Sequence, residues 1–377
     1  MATKASVRSI PLLDLTRQYQ PLREPIQAAI SAVIESQRFI LGAGVEHFER
    51  RFADHCGARY AVGCASGTDA LELALMALDI GTGDEVLTVP FSFFATAGAI
   101  MSTGARPVFI DVEPESFNLD VRQLDPILAA HPSVKAILPV HLYGGCADMG
   151  PIVERASALG IPVIEDAAQA VGAEWKGQRA GDIGTVGCFS FFPTKNLGGF
   201  GDGGMLTTND EDLARKLKAL RIHGSFEKYV HQWPGRNSRL DALQAAVLDV
   251  KLDHLDHWTR ARQRNAALYR ELLAGVVTTP AAQPYQTSHV YNQFVIRCTR
   301  RDELRAFLAE SGVGTEVYYP LPLHLQPALA SYGYRAGDFP VSEQLAKEVL
   351  ALPIFAELTE EEITAVAGLI RQFYGRK

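Results

Sequence analysis

Cysteine is scarce in this chain of 377 residues: Cys56, Cys64, Cys146, Cys188 and Cys298 are odd in number and form no CxxC pair. That excludes a disulfide framework and a thiolate zinc site, and leaves buried reduced thiols. No run of about 20 residues is apolar throughout, and the opening MATKASVRSIPLLDL lacks an apolar stretch followed by a small-residue cleavage site. Neither a membrane span nor an export signal is expected, so the chain reads as cytoplasmic. A basic excess is also missing, with Lys plus Arg at 36 against Asp plus Glu at 43 and a net charge of −7. The basic residues are scattered, which excludes the footprint of a nucleic-acid binder. No GxGxxG follows the first strand-like run, against a dinucleotide-dependent dehydrogenase, and no fixed-period repeat or low-complexity segment is present.

What is present is ordinary globular material, 47% hydrophobic and 21% charged, long enough for about two domains. The first seven residues are polar and read as frayed; Tyr19 to Gln37 then carries apolar residues at helical spacing. From residue 58 short β-rich runs alternate with helical stretches: 60–65, 84–89, 106–112, 134–140, 161–166, 186–192 and 203–208. Continuous apolar runs separated by helices predict a mostly parallel sheet covered on both faces. The last two runs lie too close for a crossover helix and should pair antiparallel. After Arg239 a long connecting helix is expected, followed by strands at 290–297 and 315–319 and helices at 301–310 and 359–373. The reading is α/β: a seven-stranded mostly parallel sheet with one antiparallel strand, in a large domain over 1–250, and a smaller C-terminal α+β domain over 251–377.

Chemistry gathers at strand ends. Ser66-Gly67-Thr68 sits at a strand-to-helix turn, either as a plain helix cap or as a phosphate site on free N–H groups. Asp166 ends a strand, with Gln169 three residues on, and a carboxylate buried there requires a cationic partner. Lys195 follows an apolar wall of Phe189, Phe191 and Phe192 and precedes a glycine-rich loop. It is either a surface lysine or an amine dehydrated for attack on carbonyls. Together a phosphate site, a buried aspartate and a dehydrated lysine match the needs of pyridoxal phosphate. His254 and His257 lie on one helix without a third ligand, so no metal is expected. Arg260, Arg262 and Arg264 read as a solvated helix face, and His141 as either a core histidine or a cofactor neighbour.

The segments FILGAGVEHFE, ASGTDALELAL, PFSFFATA, PVHLYG, PVIEDAAQA, CFSFFPTKNLG, NSRLDALQAAVL and YYPLPLHLQPA follow one another from residue 39 onward. In these the chain resembles the DegT/DnrJ/StrS family of sugar-nucleotide aminotransferases, of the aspartate aminotransferase fold (fold type I). The resemblance implies that Lys195 binds pyridoxal 5′-phosphate as a Schiff base and shuttles protons, with pyridoxamine 5′-phosphate as the intermediate form. It also implies that Asp166 faces the pyridine nitrogen, Gln169 the phenolic oxygen, and Phe93 the ring face. Gly67, Thr68 and Ser190 match the phosphate cradle, and Asn237 matches a residue reaching the neighbouring subunit's phosphate, hence a homodimer with shared sites. Tyr319 and His324 match positions near substrate, while Arg239, two residues after Asn237, reads either as a solvated or paired helix-end arginine or as a contact to the donor carboxylate or the sugar's diphosphate across the dimer. Some relatives replace the lysine by histidine and dehydrate sugars; retention of Lys195 favours transamination. The expected reaction moves an amino group from L-glutamate to a nucleotide-linked ketosugar, at C-3 by the form of NSRLDALQAAVL, for amino-sugar and surface-polysaccharide or lipopolysaccharide biosynthesis. The alternatives are a C-4 aminotransferase, or a dehydratase or regulatory protein on the same scaffold.

Overall fold

The computed structural model describes residues 9–375, so the N-terminal residues read as frayed lie outside it. Seven strands form the central sheet: β1 (Tyr60–Cys64), β2 (Glu85–Thr88), β3 (Arg106–Phe109), β4 (Val134–Ile137), β5 (Ile164–Asp166), β6 (Val186–Ser190) and β7 (Gly204–Thr208). Their order is β1-β7-β6-β5-β4-β2-β3, with β4 and β5 joined through the parallel bridges Ile137–Val163 and Val140–Asp166. Only β7 is reversed, antiparallel to both β1 and β6. Residues 191–203 connect β6 to β7 without a helix, which permits a hairpin-like return but no parallel crossover.

The continuous apolar runs are explained by burial on both faces. Along β6, Val186 and Cys188 join the cluster of Leu71, Leu75 and Leu217 on one side. Phe189 and the following Phe191 join Phe48, Phe52 and Leu248 on the other. Alternation of side chains sends successive residues to opposite layers, and both layers are apolar. The rings of Phe52 and Phe189 meet edge to face at 5.1 Å, and Phe52 and Phe191 at 5.4 Å.

The C-terminal part pairs β8 (Phe294–Arg297) antiparallel with β9 (Val349–Leu352), backed by helices Arg301–Glu310, Pro340–Glu348 and Glu360–Gly375. Its core is continuous with that of β2 to β4: Leu87, Ile110 and Ile137 belong to the same cluster as Phe294, Leu352 and Ile370. The N-terminal segment is tied to this part by a parallel bridge between Ile10 and Val313.

Several local expectations change. The first helical stretch is three pieces, Leu15–Tyr19, a 3₁₀ turn Gln20–Leu22 and Arg23–Ser36, because Pro21 supplies no backbone donor. The single connecting helix is two, Ala242–Leu252 and Leu255–Leu272, and the expected division at 250/251 falls inside the first. The strand at 290–297 begins only at Phe294, since Tyr291 takes a left-handed conformation (φ 44°). The stretch 315–319 makes one bridge, Glu316 to Ala351, rather than a strand. Arg262 is not solvated: it is 3% exposed and donates to the carbonyls of Tyr291 (3.0 Å) and Ile354 (2.9 Å).

Candidate active site

Because β1, β5 and β6 run parallel, their carboxyl ends share one edge of the sheet, where open α/β folds hold ligands. A cavity of about 520 Å³ opens there, and its wall includes Gly67, Thr68, Phe93, Asp166, Gln169, Ser190, Lys195 and Tyr319. The fold thus gathers these eight expected residues from five segments of chain.

The helix Gly67–Ala77 starts at Ser66, whose hydroxyl accepts the Asp69 N–H at 3.0 Å. Ser66 therefore caps, as the plainer reading has it, yet the N–H groups of Gly67 and Thr68 have no intrahelical acceptor and stay available to an anion. A Cβ on Gly67 would lie 2.6 Å from the Ser190 Cβ. Glycine is thus what lets the Ser190 hydroxyl close the cradle around that helix end.

Asp166 is 5% exposed, and burial raises its carboxyl pKa. Opposing that, its Oδ2 accepts the Thr96 hydroxyl at 2.8 Å, its Oδ1 accepts the Ala168 N–H at 3.2 Å, and Lys195 attracts its charge. Thr96 spends its single proton on Asp166, so the 2.8 Å contact between Ser92 and Thr96 has Ser92 as donor. The aspartate is therefore oriented, with a donor already on each oxygen, before any cation arrives.

Lys195 sits in the turn after β6, its N–H on the Phe192 carbonyl at 2.8 Å. Desolvation pulls its ammonium pKa down to about 8, against the attraction of Asp166. The reading of a surface lysine is set aside by that environment. Below the loop, the buried Lys251 donates to the Gly198 carbonyl at 2.6 Å and pins the segment that carries Lys195.

Gln169 is fixed at both ends: its Oε1 accepts the Tyr143 N–H at 2.7 Å and its Nε2 reaches the Tyr319 hydroxyl at 3.3 Å. Tyr319 also faces Phe93, ring centroids 6.1 Å apart, and Phe93 is 58% exposed, an apolar face turned to the cavity. His141 is a core residue. Its Nδ1 accepts the Ala147 N–H at 3.1 Å, so Nε2 carries the proton and donates to Glu165 at 2.9 Å. Glu165 accepts three further N–H groups, from Gly181, Ile183 and Gly184. This fully buried pair braces the end of β5 next to Asp166.

Three expected residues are not brought to the cavity wall of this chain. Asn237 is exposed, bridged to Ile222, and Arg239 is half-buried two residues on; between them Ser238 accepts the Ala65 N–H at 3.1 Å, which keeps the segment beside the end of β1. His324, expected near substrate, is buried in this structure. Its 3₁₀ turn points the ring inward, where Nε2 pairs with Glu343 at 3.1 Å and the ring packs on Phe339 at 4.8 Å. Burial lowers its pKa, with Glu343 opposing.

Reading the sequence missed Ser92 and Thr96, although both flank Phe93 in PFSFFATA and a buried carboxylate requires donors. Asp202, the one charged residue of the glycine-rich loop, also lines the cavity, as do Thr194, Gln293 and Tyr318.

An anion seat at a helix end, a carboxylate that wants a cation and a dehydrated amine form one chemical unit. Comparison with known proteins agrees with it. The model of the DegT/DnrJ/EryC1/StrS aminotransferase family matches residues 20–371. A relative from Geobacillus stearothermophilus named a pleiotropic regulatory protein is 49% identical, over 97% of this chain and 99% of its own. A UDP-N-acetyl-3-dehydro-alpha-D-glucosamine 3-aminotransferase from Acidithiobacillus ferrooxidans is 44% identical, over 97% of this chain and 98% of its own. The crystal structure of S. venezuelae DesV in complex with a ketimine intermediate superposes with a TM-score of 0.95 at 43% identity, covering 98% of this chain and 99% of that one. With the matched model running through nearly every described element, the chain belongs to the DegT/DnrJ/EryC1/StrS aminotransferase family.

Proposed function

We propose that this aminotransferase uses pyridoxal 5′-phosphate to move an amino group from L-glutamate to the C-3 keto carbon of a nucleotide-linked sugar, as a cytoplasmic homodimer serving amino-sugar biosynthesis. The observation that carries the reading is the facing pair of Asp166 and Lys195 beside the Gly67–Ser190 cradle. The residues fit the cofactor: the cradle is a concavity that a Cβ would fill, and Asp166 is a buried carboxylate already supplied with donors.

Bound there, pyridoxal phosphate supplies a carbonyl for the amine and a ring that accepts an electron pair. The helix N–H groups of Gly67 and Thr68 and the Ser190 hydroxyl hold its phosphate. Asp166 would keep a proton on the ring nitrogen, because burial disfavours its ionised form despite its two donors and a cation beside it offsets that cost. Phe93 and Tyr319 cover the ring and exclude water, and Gln169 orients a ring oxygen. Lys195 holds the proton that must travel between cofactor and substrate carbon, and its lowered pKa lets the amine both take and return it near neutral pH. Asn237 is exposed and Arg239 half-buried on one segment, which supports a role for Asn237 toward a second subunit's phosphate and for Arg239 toward the substrate bound there.

The C-3 position draws support from the relative whose name gives a 3-dehydro sugar as substrate. A regulatory reading is favoured by one relative's name, and it makes no use of a lysine with a lowered pKa. The test is the visible spectrum of the protein with added pyridoxal phosphate, before and after L-glutamate, with Lys195→Ala alongside. Loss of the band with one equivalent of 2-oxoglutarate, absent in the variant, followed by amine transfer to dTDP- or UDP-linked 3-keto sugars, is the expected result. A Lys195-dependent band that no amino donor changes refutes the transaminase reading in favour of a sensor; transfer only to 4-keto sugars moves the position to C-4.

A further inference from the structure

Beside the main cavity lies a second, smaller chamber of about 70 Å³ that shares three walls with it, Thr194, Gln293 and Tyr318. The N-terminal segment at Leu12 and Leu13 roofs it, and Arg262 and Asn292 complete its polar lining. It therefore opens next to the residue preceding Lys195, on the side where the N-terminal segment meets β9.

Arg262 is the unusual feature. It is 3% exposed, and its Nη1 spends its donors on the carbonyls of Tyr291 and Ile354. That leaves the Nε–Nη2 edge of the guanidinium, the edge that grips a carboxylate in two parallel hydrogen bonds. Among the described residues Arg262 makes no ion pair; Glu357 attracts it only from beyond that range. Burying a guanidinium without a counter-charge in contact is unfavourable in general, so its presence here asks for a reason. Asn292 is 7% exposed with its Oδ1 unpaired, and Gln293, in the wall shared by both spaces, also has an unpaired amide oxygen. A half-turn of either amide presents N–H groups to the chamber instead. The chamber thus offers one cation and two adaptable amides, with no carboxylate of its own.

We propose that this chamber seats a carboxylate of the amino-acid donor, gripped by the free edge of Arg262 and by Asn292, while the donor's amine reaches toward Lys195 past Gln293. The inference rests on the donor being an amino acid, as proposed above. It assigns donor recognition to a compartment separate from the wide mouth through which a nucleotide-linked sugar must enter, so the two substrates are recognised by different residues. One site then accepts two unlike substrates in turn.

The probe is glutarate, a dicarboxylate without an amine, titrated calorimetrically into the cofactor-loaded protein. Arg262→Gln is expected to weaken glutarate binding about tenfold to a hundredfold, the loss typical of charge-assisted hydrogen bonds. The half-saturating L-glutamate concentration should rise similarly, while the cofactor band and the binding of UDP or dTDP stay unchanged. A folded Arg262→Gln with wild-type glutarate affinity overturns the proposal. Should that variant fail to fold, Asn292→Leu tests the same chamber from its other wall, and a crystal of the unmodified protein with glutarate decides directly. Carboxylate oxygens on Arg262 support the proposal, whereas glutarate elsewhere, or water alone at Arg262, overturns it. If L-alanine is impaired along with L-glutamate, the seat is for the α-carboxylate; if only glutamate suffers, for the side-chain one. An unmodified protein inert to every amino acid, yet binding glutarate at Arg262, locates the failure in the donor reading instead.

Discussion

The reactivity of Lys195 should follow its burial rather than the ordinary behaviour of a lysine. Only the free amine reacts with carbonyls, and desolvation lowers the pKa to about 8, so at pH 7 about one molecule in ten carries the free amine, against about one in three thousand for an unperturbed lysine. The advantage is a few hundredfold. The perturbation is pH, from 6 to 11, applied to cofactor-free protein; the assay is trace reductive methylation with formaldehyde, read at the Lys195 peptide by mass spectrometry. The rate should climb tenfold per unit up to about pH 8 and then flatten, while exposed lysines keep climbing to beyond pH 10. Asp166→Asn provides the sign check. Asp166 stabilises the ammonium form, so neutralising it should move the break to lower pH and make the amine freer still at pH 7. A Lys195 profile that rises without a break through pH 10, or a break that moves upward in Asp166→Asn, would refute the desolvation argument.

Two other substitutions test the walls of the cavity. Gly67→Ala places a Cβ 2.6 Å from the Ser190 Cβ, an overpacking that costs about 1–3 kcal/mol in denaturant unfolding, and it should lower affinity for pyridoxal phosphate and for inorganic phosphate alike. Equal phosphate affinity in Gly67→Ala and the unmodified protein would contradict the cradle. Thr96→Val keeps the shape of the side chain but removes the donor to Asp166, raising that carboxyl further above its ordinary range. Retention of the cofactor should weaken by about tenfold, measured by dialysis and absorbance, from the loss of one hydrogen bond to a charged group.

Much of the fold was legible because it rests on short-range patterns. The seven strand runs and the reversed β7 follow from apolar runs and from the distance between neighbours along the chain. The misreadings cluster where a pattern is overridden from elsewhere. Arg260, Arg262 and Arg264 look alike along the helix, yet Arg262 turns inward because the carbonyls of Tyr291 and Ile354 meet it there. Nothing local in YYPLPLHLQPA marks His324 as interior, yet a carboxylate nineteen positions away, Glu343, holds its ring there. Thr96 stands close to Phe93 in PFSFFATA, yet the carboxylate it serves lies seventy positions on, and only folding brings the two together.

By itself, then, the sequence determined the class of chemistry. A lysine after an apolar strand, an aspartate at a strand end and a small-residue turn before a helix are local features, and each depends on hydrophobic period and backbone geometry over a few residues. Tertiary structure alone decided how those groups are tuned and partnered. Desolvation of Lys195, the Thr96 and Ser92 relay behind Asp166, the bracing of β5 by His141 and Glu165, and the unpaired edge of Arg262 all arise from approach across the sheet and between its layers. Dielectric surroundings and hydrogen-bond partners depend on distance in space, and distance in space is set by packing of segments far apart along the chain.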